Sequence, residues 1–298
     1  MKKESANGSR VAINIPRKVA EALQQMAKKH RCSLYTIYAS LLSILLFRYV
    51  GGEEDTVFGT VNSGGRGRPE FQNSIGMFVG TLPLRTTVRH DNSMADVLIG
   101  IHNTLSKQAR FRDISFQEIV TNVNYEKDKR LSPIFQVMFS YIDFLPSVWN
   151  PQGCDLQVEN TSSDDAFAKF DLDFVITTSS KDATLSLGYK TSLFKASTIR
   201  RMADHFVQLA SSAASSPEST IVANLDMLSV KEKELVVHTW NTKEAAKAKS
   251  NPLLQYSTDV GAFQAAAKQH ATCTAVVDHT HMSSPPRLRT QASRANTM

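Results

Sequence analysis

The sequence predicts an α/β (α+β) fold in which helices pack on one mixed sheet. Three observations lead to this prediction. Several segments repeat apolar residues at helical spacing, and several others alternate apolar and polar residues as strands do. In addition, 42% of the 298 residues are hydrophobic, which is enough for a substantial core. The two kinds of segment are interleaved as far as Trp240, so we expect them to share one core.

The first elements form a strand followed by two helices. Residues Val11 to Ile15 alternate as a short strand, and Pro16 suits the first turn of a helix. Ser33 is placed to cap the next helix, which runs from Leu34 to Val50. That helix is apolar around most of its circumference but too interrupted by polar residues to span a bilayer, so we expect it to be buried. The Gly51-Gly52 pair should end it.

A strand from Thr56 to Val61 leads into a polar loop that contains glycines and arginines, residues 62–69. Such a loop suggests phosphate contact. However, it lacks the Lys-Ser ending of a P-loop and the spacing of a dinucleotide fingerprint, so a simple connecting loop is the competing interpretation.

The stretch IGMFVGTLPLR, residues 75–85, is a long apolar run that predicts a strand covered on both faces. Pro83 predicts a bulge or a sheet edge, because proline cannot donate to a ladder. Gly76 and Gly80 would let the backbone approach a ligand or another segment, although simple packing or a bulge is the favoured interpretation from sequence alone. Arg85 is either a surface charge or a member of a buried ion pair.

The remaining elements alternate again. We expect capped helices from Ser93, with Asp96 in the first turn, and from Ser115, with Glu118 completing a capping box. The other predicted elements are a central strand at 134–144, a hairpin spanning 170–189, and helices at 196–214 and 231–240.

Composition excludes several classes of function. The net charge of +6 is spread along the chain with the acids, so the sequence shows no nucleic-acid-binding stripe. The three cysteines, Cys32, Cys154 and Cys273, are too far apart for a disulfide framework or a metal site, which favours a reducing, cytoplasmic location. The charged N-terminus is not followed by the apolar region of a secretory signal. We therefore expect neither nucleic-acid nor membrane partners.

Several motifs, in order, resemble the condensation domains of nonribosomal peptide synthetases. IGMFVGTLPLR is similar to that family's IGxFVNTLxLR, and DKRLSPIFQVMFSY is similar to RDxSRxPLFQVMF. The region before Ile75, RFRDISFQEIV, KFDLDF and the helix from Ala196 also match in order and spacing. The resemblance covers about residues 11 to 242. It implies a chloramphenicol-acetyltransferase-like lobe, the second of the two lobes in such a domain.

The resemblance also implies a domain plan. Residues 1–242 would be the C-terminal lobe of a condensation domain and 243–259 a linker. Residues 260–278 resemble the start of an adenylation domain, incomplete here, and 279–298 are expected to be a disordered tail.

In the family, an amine on one carrier protein attacks an acyl thioester on another, within a tunnel between the two lobes. The resemblance therefore implies carrier domains as partners and their 4'-phosphopantetheine arms as substrate carriers, with no cofactor or metal bound directly. The family's HHxxxDG motif belongs to the first lobe, and none of the eight histidines here fits it. We predict no catalytic residue in this chain and inactivity without the missing lobe. Isolated histidines such as His102 and His205 are expected to be surface residues.

Two departures from the family pattern affect the expected site. Gly80 stands where the family has Asn, and Arg112 stands where it has Gln before the aspartate that matches Asp113. The resemblance makes Arg85 and Asp113 candidate substrate contacts, with a structural ion pair or cap as the alternative. It places Gly76 and Gly80 at the floor of the tunnel.

Three alternatives remain open at this point. The chain would be a non-catalytic module that docks carrier proteins or other domains, one half of a split enzyme, or an unrelated acyltransferase with its own base. An exposed inter-lobe face would also favour self-association, because it uncovers apolar surface.

Overall fold

A six-stranded sheet whose core face is covered by helices is the main feature of the computed structural model. The structure describes residues 7–62, 69–71, 73–111, 113–123, 131–143, 148–149, 158–159, 167–178 and 183–240.

Strands and helices are interleaved along these residues. The strands are β1 Gly8–Ile15, β2 Asp55–Asn62, β3 Gly80–Thr87, β4 Val137–Asp143, β5 Val148–Trp149, β6 Val158–Glu159, β7 Leu172–Thr178 and β8 Ala183–Lys190. The α-helices are α1 Arg17–Lys29, α2 Leu34–Tyr49, α3 Met94–Gln108, α4 Phe116–Asn122, α5 Ala196–Ser215 and α6 Val230–Glu234.

The strand order in the large sheet is β1-β8-β7-β4-β2-β3. Strand β4 is parallel to both β2 and β7, and the remaining pairs are antiparallel. This arrangement confirms the predicted mixed sheet and the predicted hairpin, which is formed by β7 and β8. Strands β5 and β6 pair with each other in a separate two-stranded sheet.

Helix α2 lies in the middle of the helical layer, where it contacts α1, α3 and α5. Ser33 caps it by accepting a hydrogen bond from the Thr36 N–H at 3.2 Å. Gly51 and Gly52 end it with φ angles of 77° and 90°, a region that glycine adopts without steric cost. The helix is buried around most of its surface, as predicted. No single helix in the described segments is long and apolar enough to cross a membrane, although α1 and α2 pass that test together as a pair bent by 110°.

The opposite face of the sheet carries an aromatic cluster. Phe135 is buried, and its ring centroid lies 5.4 Å from that of Phe116 and 5.7 Å from that of Phe170. A Cβ atom on Gly59 would lie only 2.1 Å from the Phe135 ring, so the ring rests directly on the backbone of β2. Just before Phe135, Ile134 adopts φ 69°, and the Phe135 N–H donates to the Pro133 carbonyl at 2.8 Å. This tight turn sets the start of β4.

Most predicted elements are confirmed, with differences at two places. The predicted strand at 75–85 begins only at Gly80, so its first five residues are wrong as strand. The helix predicted at 231–240 is α-helical to Glu234 and π-helical from Leu235 to Trp240. These residues belong to a second compact unit that begins at Val230. The predicted linker, adenylation-like segment and tail, 243–298, lie outside the described residues.

Candidate functional site

The family-like stretch opens with an exposed apolar segment. Ile75 and Met77 have relative exposures of 105% and 93%, and Val79 is 57% exposed. Phe78 is half-buried, and its ring contacts that of Phe71 with a centroid distance of 5.6 Å. The prediction of a strand covered on both faces is therefore wrong for residues 75–79. The apolar pattern was read correctly, but in this chain the side chains that produce it face solvent.

Gly76 and Gly80 do not mark close backbone contacts. A Cβ atom on Gly76 would meet the Phe78 ring at 3.6 Å, and one on Gly80 would meet the Asn62 side chain at 4.0 Å. Both are ordinary van der Waals distances. By contrast, Gly59 in β2 is tightly packed against the Phe135 ring, and sequence reasoning missed it. The only indication in the sequence was a glycine inside an apolar strand, which can mark a close contact with the backbone.

Strand β3 is an edge strand, which confirms one of the two roles predicted for Pro83. Pro83 lies opposite Gly59 in the register. Its carbonyl accepts a hydrogen bond from Gln108 Nε2, at the end of α3. At Pro83 the edge of the sheet therefore has no free N–H, and its carbonyl is bonded to the Gln108 side chain.

Arg85 forms an exposed ion pair with Asp55 on the neighbouring strand. Arg85 Nε donates to Asp55 Oδ1 at 2.9 Å, and Arg85 Nη2 donates to Asp55 Oδ2. The hydrogen bond from Arg85 lowers the pKa of Asp55, outweighing the smaller opposing effect of burial. Arg85 is thus a surface charge engaged in a structural pair. It lies five residues from Gly80, about 17 Å along the strand, so the two candidates do not converge on one point.

Asp113 lies in an exposed turn that precedes α4. The Ile114 N–H donates to the Phe111 carbonyl at 3.1 Å in this turn, and Ser115 then caps α4 by accepting from the Glu118 N–H at 3.2 Å. The cap predicted for Ser115 is therefore present. Arg112, the second departure from the family pattern, lies outside the described residues.

A cleft of about 290 Å³ opens beside Gly80, at the carboxyl end of β2. The Tyr35 hydroxyl and the Thr60 hydroxyl are hydrogen-bonded in it. Burial raises the pKa of Tyr35 to about 12, with a smaller lowering by Thr60, so this hydroxyl stays protonated near neutral pH and cannot serve as a base. The cleft is lined by Tyr35, Thr60, Val61, Asn62, Leu82, Leu105, Gln108 and Ala109.

Five of the eight histidines, His30, His90, His102, His205 and His238, lie in the described residues. His205 was expected at the surface, but it is 6% exposed and its Nδ1 lies 2.7 Å from the Tyr49 hydroxyl, because it faces α2. His30 Nε2 lies 3.0 Å from Glu218 Oε2, and the His90 ring packs edge-on against Phe47. His102 is exposed on α3, as predicted.

The described residues also bear on thiol and metal chemistry. Burial raises the pKa of the Cys32 thiol, which disfavours the reactive thiolate. Within the described segments, no group of three or more His, Cys, Asp or Glu side chains is arranged to hold a metal ion.

The six-stranded mixed sheet, its helices and the ordered motifs define a chloramphenicol-acetyltransferase-like fold. The family model described as "Condensation domain" matches residues 1–237, and the chain belongs to that family.

Relatives among curated proteins are large synthetases. The chain is 27% identical over 252 residues to tyrocidine synthase 3 of Brevibacillus parabrevis, a match that covers 85% of this chain and 4% of that protein. It is 28% identical over 252 residues to surfactin synthase subunit 1 of Bacillus subtilis (strain 168), covering 85% and 7%. The chain therefore spans only a small part of these relatives.

Solved structures show the same fold. The X-domain from teicoplanin biosynthesis matches with a TM-score of 0.66 at 20% identity, over 76% of this chain and 52% of that one. The first condensation domain of the CDA synthetase matches with a TM-score of 0.63 at 16% identity, over 76% and 50%. The chain thus spans about half the length of each of these two chains.

Proposed function

We propose that this chain is the C-terminal lobe of a condensation domain of a nonribosomal peptide synthetase, and that it supplies one wall of the tunnel in which an amide bond forms. The family match carries the proposal. It is supported by the half-length coverage of the two solved domains and by the absence of two adjacent histidines anywhere in the 298 residues. The base would come from a second lobe, encoded upstream or on another polypeptide.

The reaction needs positioning more than a reactive group from this lobe. The amine nitrogen of one carrier-bound aminoacyl thioester attacks the carbonyl carbon of another, the C–S bond breaks, and the thiol of the donor carrier leaves with a proton. Holding both 4'-phosphopantetheine arms in line supplies much of the rate of such a step. Gly76, Gly80 and the cleft beside Asn62 would form the part of the tunnel floor that this lobe contributes.

The exposed apolar segment supports a contact with the second lobe. Ile75, Met77 and Val79 present apolar side chains to water, and apolar area of this kind is usually covered in a functional assembly. Covering it would bury the segment that leads directly into Gly80. The contact between lobes and the shape of the tunnel floor would then depend on the same residues.

Reconstitution tests the proposal. We expect no amide product when this chain is mixed with loaded donor and acceptor carriers, and product when a lobe that carries HHxxxDG is added. Turnover by this chain alone would contradict the need for a second lobe. If the chain instead retains phosphopantetheinylated carriers in a pull-down but gives no product with any second lobe, it is a docking module.

A matched pair of variants tests the role of the apolar segment. We expect Ile75→Ser combined with Met77→Ser to lower reconstituted activity at least tenfold without changing the melting temperature, because both side chains are already exposed. Ile99→Ser, which changes an apolar residue that is 55% exposed on α3, is the control and should retain activity. Equal activity of both variants would show that the segment does not contribute to the contact between the lobes.

A further inference from the structure

The cleft of about 290 Å³ at the carboxyl end of β2 combines apolar side chains with uncharged polar groups. Its described lining residues include no acidic or basic side chain. Leu82 and Leu105 contribute apolar surface, whereas Tyr35, Thr60 and Gln108 contribute two hydroxyl groups and an amide. The volume is near the lower limit for small-molecule sites, so the cleft suits a single amino-acid side chain better than a large ligand.

The hydroxyl pair in this cleft has one hydrogen-bond donor to spare. The Tyr35 and Thr60 hydroxyls are hydrogen-bonded to each other. Two hydroxyl groups carry two hydrogens, and the bond between them uses only one. Neither hydroxyl has another hydrogen-bond partner in the part of the chain that the structure describes. The second hydrogen is therefore available to a ligand that enters the cleft.

Gln108 supplies an acceptor of fixed orientation. Its Nε2 donates to the Pro83 carbonyl, and because a carbonyl can only accept, exchanging the amide nitrogen and oxygen would break this bond. The Gln108 Oε1 atom has no hydrogen-bond partner among the described residues. Pro83 follows Leu82, which pairs with Thr60 in the β2–β3 register. The spare donor and the spare acceptor therefore lie at neighbouring positions of the sheet.

A group that matches this cleft must accept one hydrogen bond and donate another. A carboxamide does both, through its C=O and its N–H. A carboxylate would face the Gln108 oxygen without a cation in the described lining, and an ammonium group would lose water without gaining an anion. An apolar group would displace water from the polar groups without replacing its hydrogen bonds.

We propose that this cleft binds the carboxamide side chain of glutamine or asparagine, and that it thereby selects the amino acid carried by one of the two thioesters. The side-chain carbonyl accepts from the Tyr35–Thr60 pair, the N–H donates to Gln108 Oε1, and the methylene groups pack against Leu82 and Leu105. A site that hydrogen-bonds a polar group rejects analogues without that group. Substrate selection rests on the proposed function, whereas the binding itself does not.

Calorimetric titration of the full chain tests the binding. The probes are the N-acetyl, N-methylamide derivatives of glutamine, asparagine, methionine and glutamate, which differ only in the side chain. We expect saturable binding of at least one of the two amides, and at least about tenfold weaker binding of the methionine and glutamate derivatives. Absence of saturable binding, or binding of the methionine derivative as tight as that of the better amide, would overturn the proposal.

Two double variants locate the site. Tyr35→Phe combined with Thr60→Val removes both hydroxyls of the cleft, and should weaken binding of the better amide at least about tenfold. The matched control is Thr56→Val combined with Thr86→Val, which removes a hydroxyl pair of β2 and β3 outside the cleft, where the two oxygens lie 2.9 Å apart. If the control weakens binding as much, or if the cleft variant binds normally, the side chain is not held in this cleft.

Reconstitution with a second lobe separates this proposal from the proposed function. One carrier is loaded with glycine and the other with the better amide or with methionine, and each arrangement is tested on the donor and the acceptor side. We expect at least about tenfold faster product formation with the amide on one side. Equal rates on both sides would overturn substrate selection by the cleft. Saturable amide binding without product from any combination would contradict the proposed function and support the cleft as a binding site.

Discussion

Gly59 and Gly80 are both strand glycines, but a side chain at each would meet different surroundings. The position of a Cβ atom on Gly59 is already filled by the Phe135 ring, whereas that on Gly80 is open to ordinary contact with Asn62. Gly80 therefore lacks the side-chain amide of the family's Asn, but its surroundings have room for a side chain. The strict steric requirement lies at Gly59.

We expect Gly59→Ala to lower the free energy of unfolding by about 1–3 kcal/mol, because the added methyl group must displace a buried aromatic ring. Chemical denaturation measures the change. Gly80→Ala, which adds the same methyl group on the paired edge strand, is the control and should alter stability by less than about 0.5 kcal/mol. Equal losses in the two variants would show that Phe135 does not rest on β2.

Glu218 provides a residue-scale pH dependence. Its carboxylate lies 2.8 Å from Lys29 Nζ, and this hydrogen bond is the largest of the effects that lower its pKa from the usual 4.5. Because the folded-state pKa is below the unfolded one, the pair stabilises the protein above pH 4.5, and this contribution is lost as the pH falls through the folded-state pKa.

We therefore expect Glu218→Gln to be less stable than the unchanged protein at neutral pH, by up to about 1 kcal/mol, and the difference to disappear in acid. Denaturation curves over a pH series measure it. Glu21→Gln removes an exposed pair with Arg17 on α1 and controls for the loss of one negative charge. A difference that persists in strong acid would rule out the Glu218 ion pair as its source.

At the scale of elements, edge strand β3 is protected where it could pair with another chain. Pro83 offers no N–H, and its carbonyl is occupied by Gln108. Unpaired edges with free donors and acceptors favour association between sheets, and proline is a common way to prevent it.

We expect Pro83→Val to increase self-association, since it restores a donor at the edge and one added hydrogen bond of about 1 kcal/mol corresponds to roughly fivefold tighter dimerisation. Sedimentation velocity measures the dimer fraction. Thr81→Val, on the same strand, adds apolar surface without adding a donor and should show a smaller effect. If the two variants associate equally, exposed apolar area and not the backbone edge is responsible.

The elements that were predicted correctly are specified by neighbouring residues. Ser33, the Ser93–Asp96 capping box and the alternation in β7 and β8 all act within a few positions, so the sequence shows them directly. His205 illustrates a signal that was overlooked. It lies three residues after Met202 and next to Phe206, at the margin of the buried stripe of α5, and that position was sufficient to expect burial.

At the scale of the whole molecule, features that depend on distant pairing were not predictable. Arg10 and Asp173 form an ion pair only because β1 and β7 flank β8, and Phe135 rests on Gly59 only because β4 pairs with β2. For the candidate site, the motif was recognised, but the exposure of its first residues, 75–79, was not predicted. An apolar run has the same pattern whether it is covered by its own chain or by a partner, so residues 75–79 were misread.

The pairing of β1 with β8 also has a consequence for synthesis on the ribosome. Ile15 pairs with Ala183 and Gly8 with Lys190. At about 5–20 residues per second, translation of the intervening chain takes roughly 10–40 s, during which β1 waits for its neighbour. Loop closure over such a separation also slows folding. The first strand of the sheet is therefore among the last to pair. In nascent chains that stall before β8, β1 would remain unpaired and could bind chaperones or other strands.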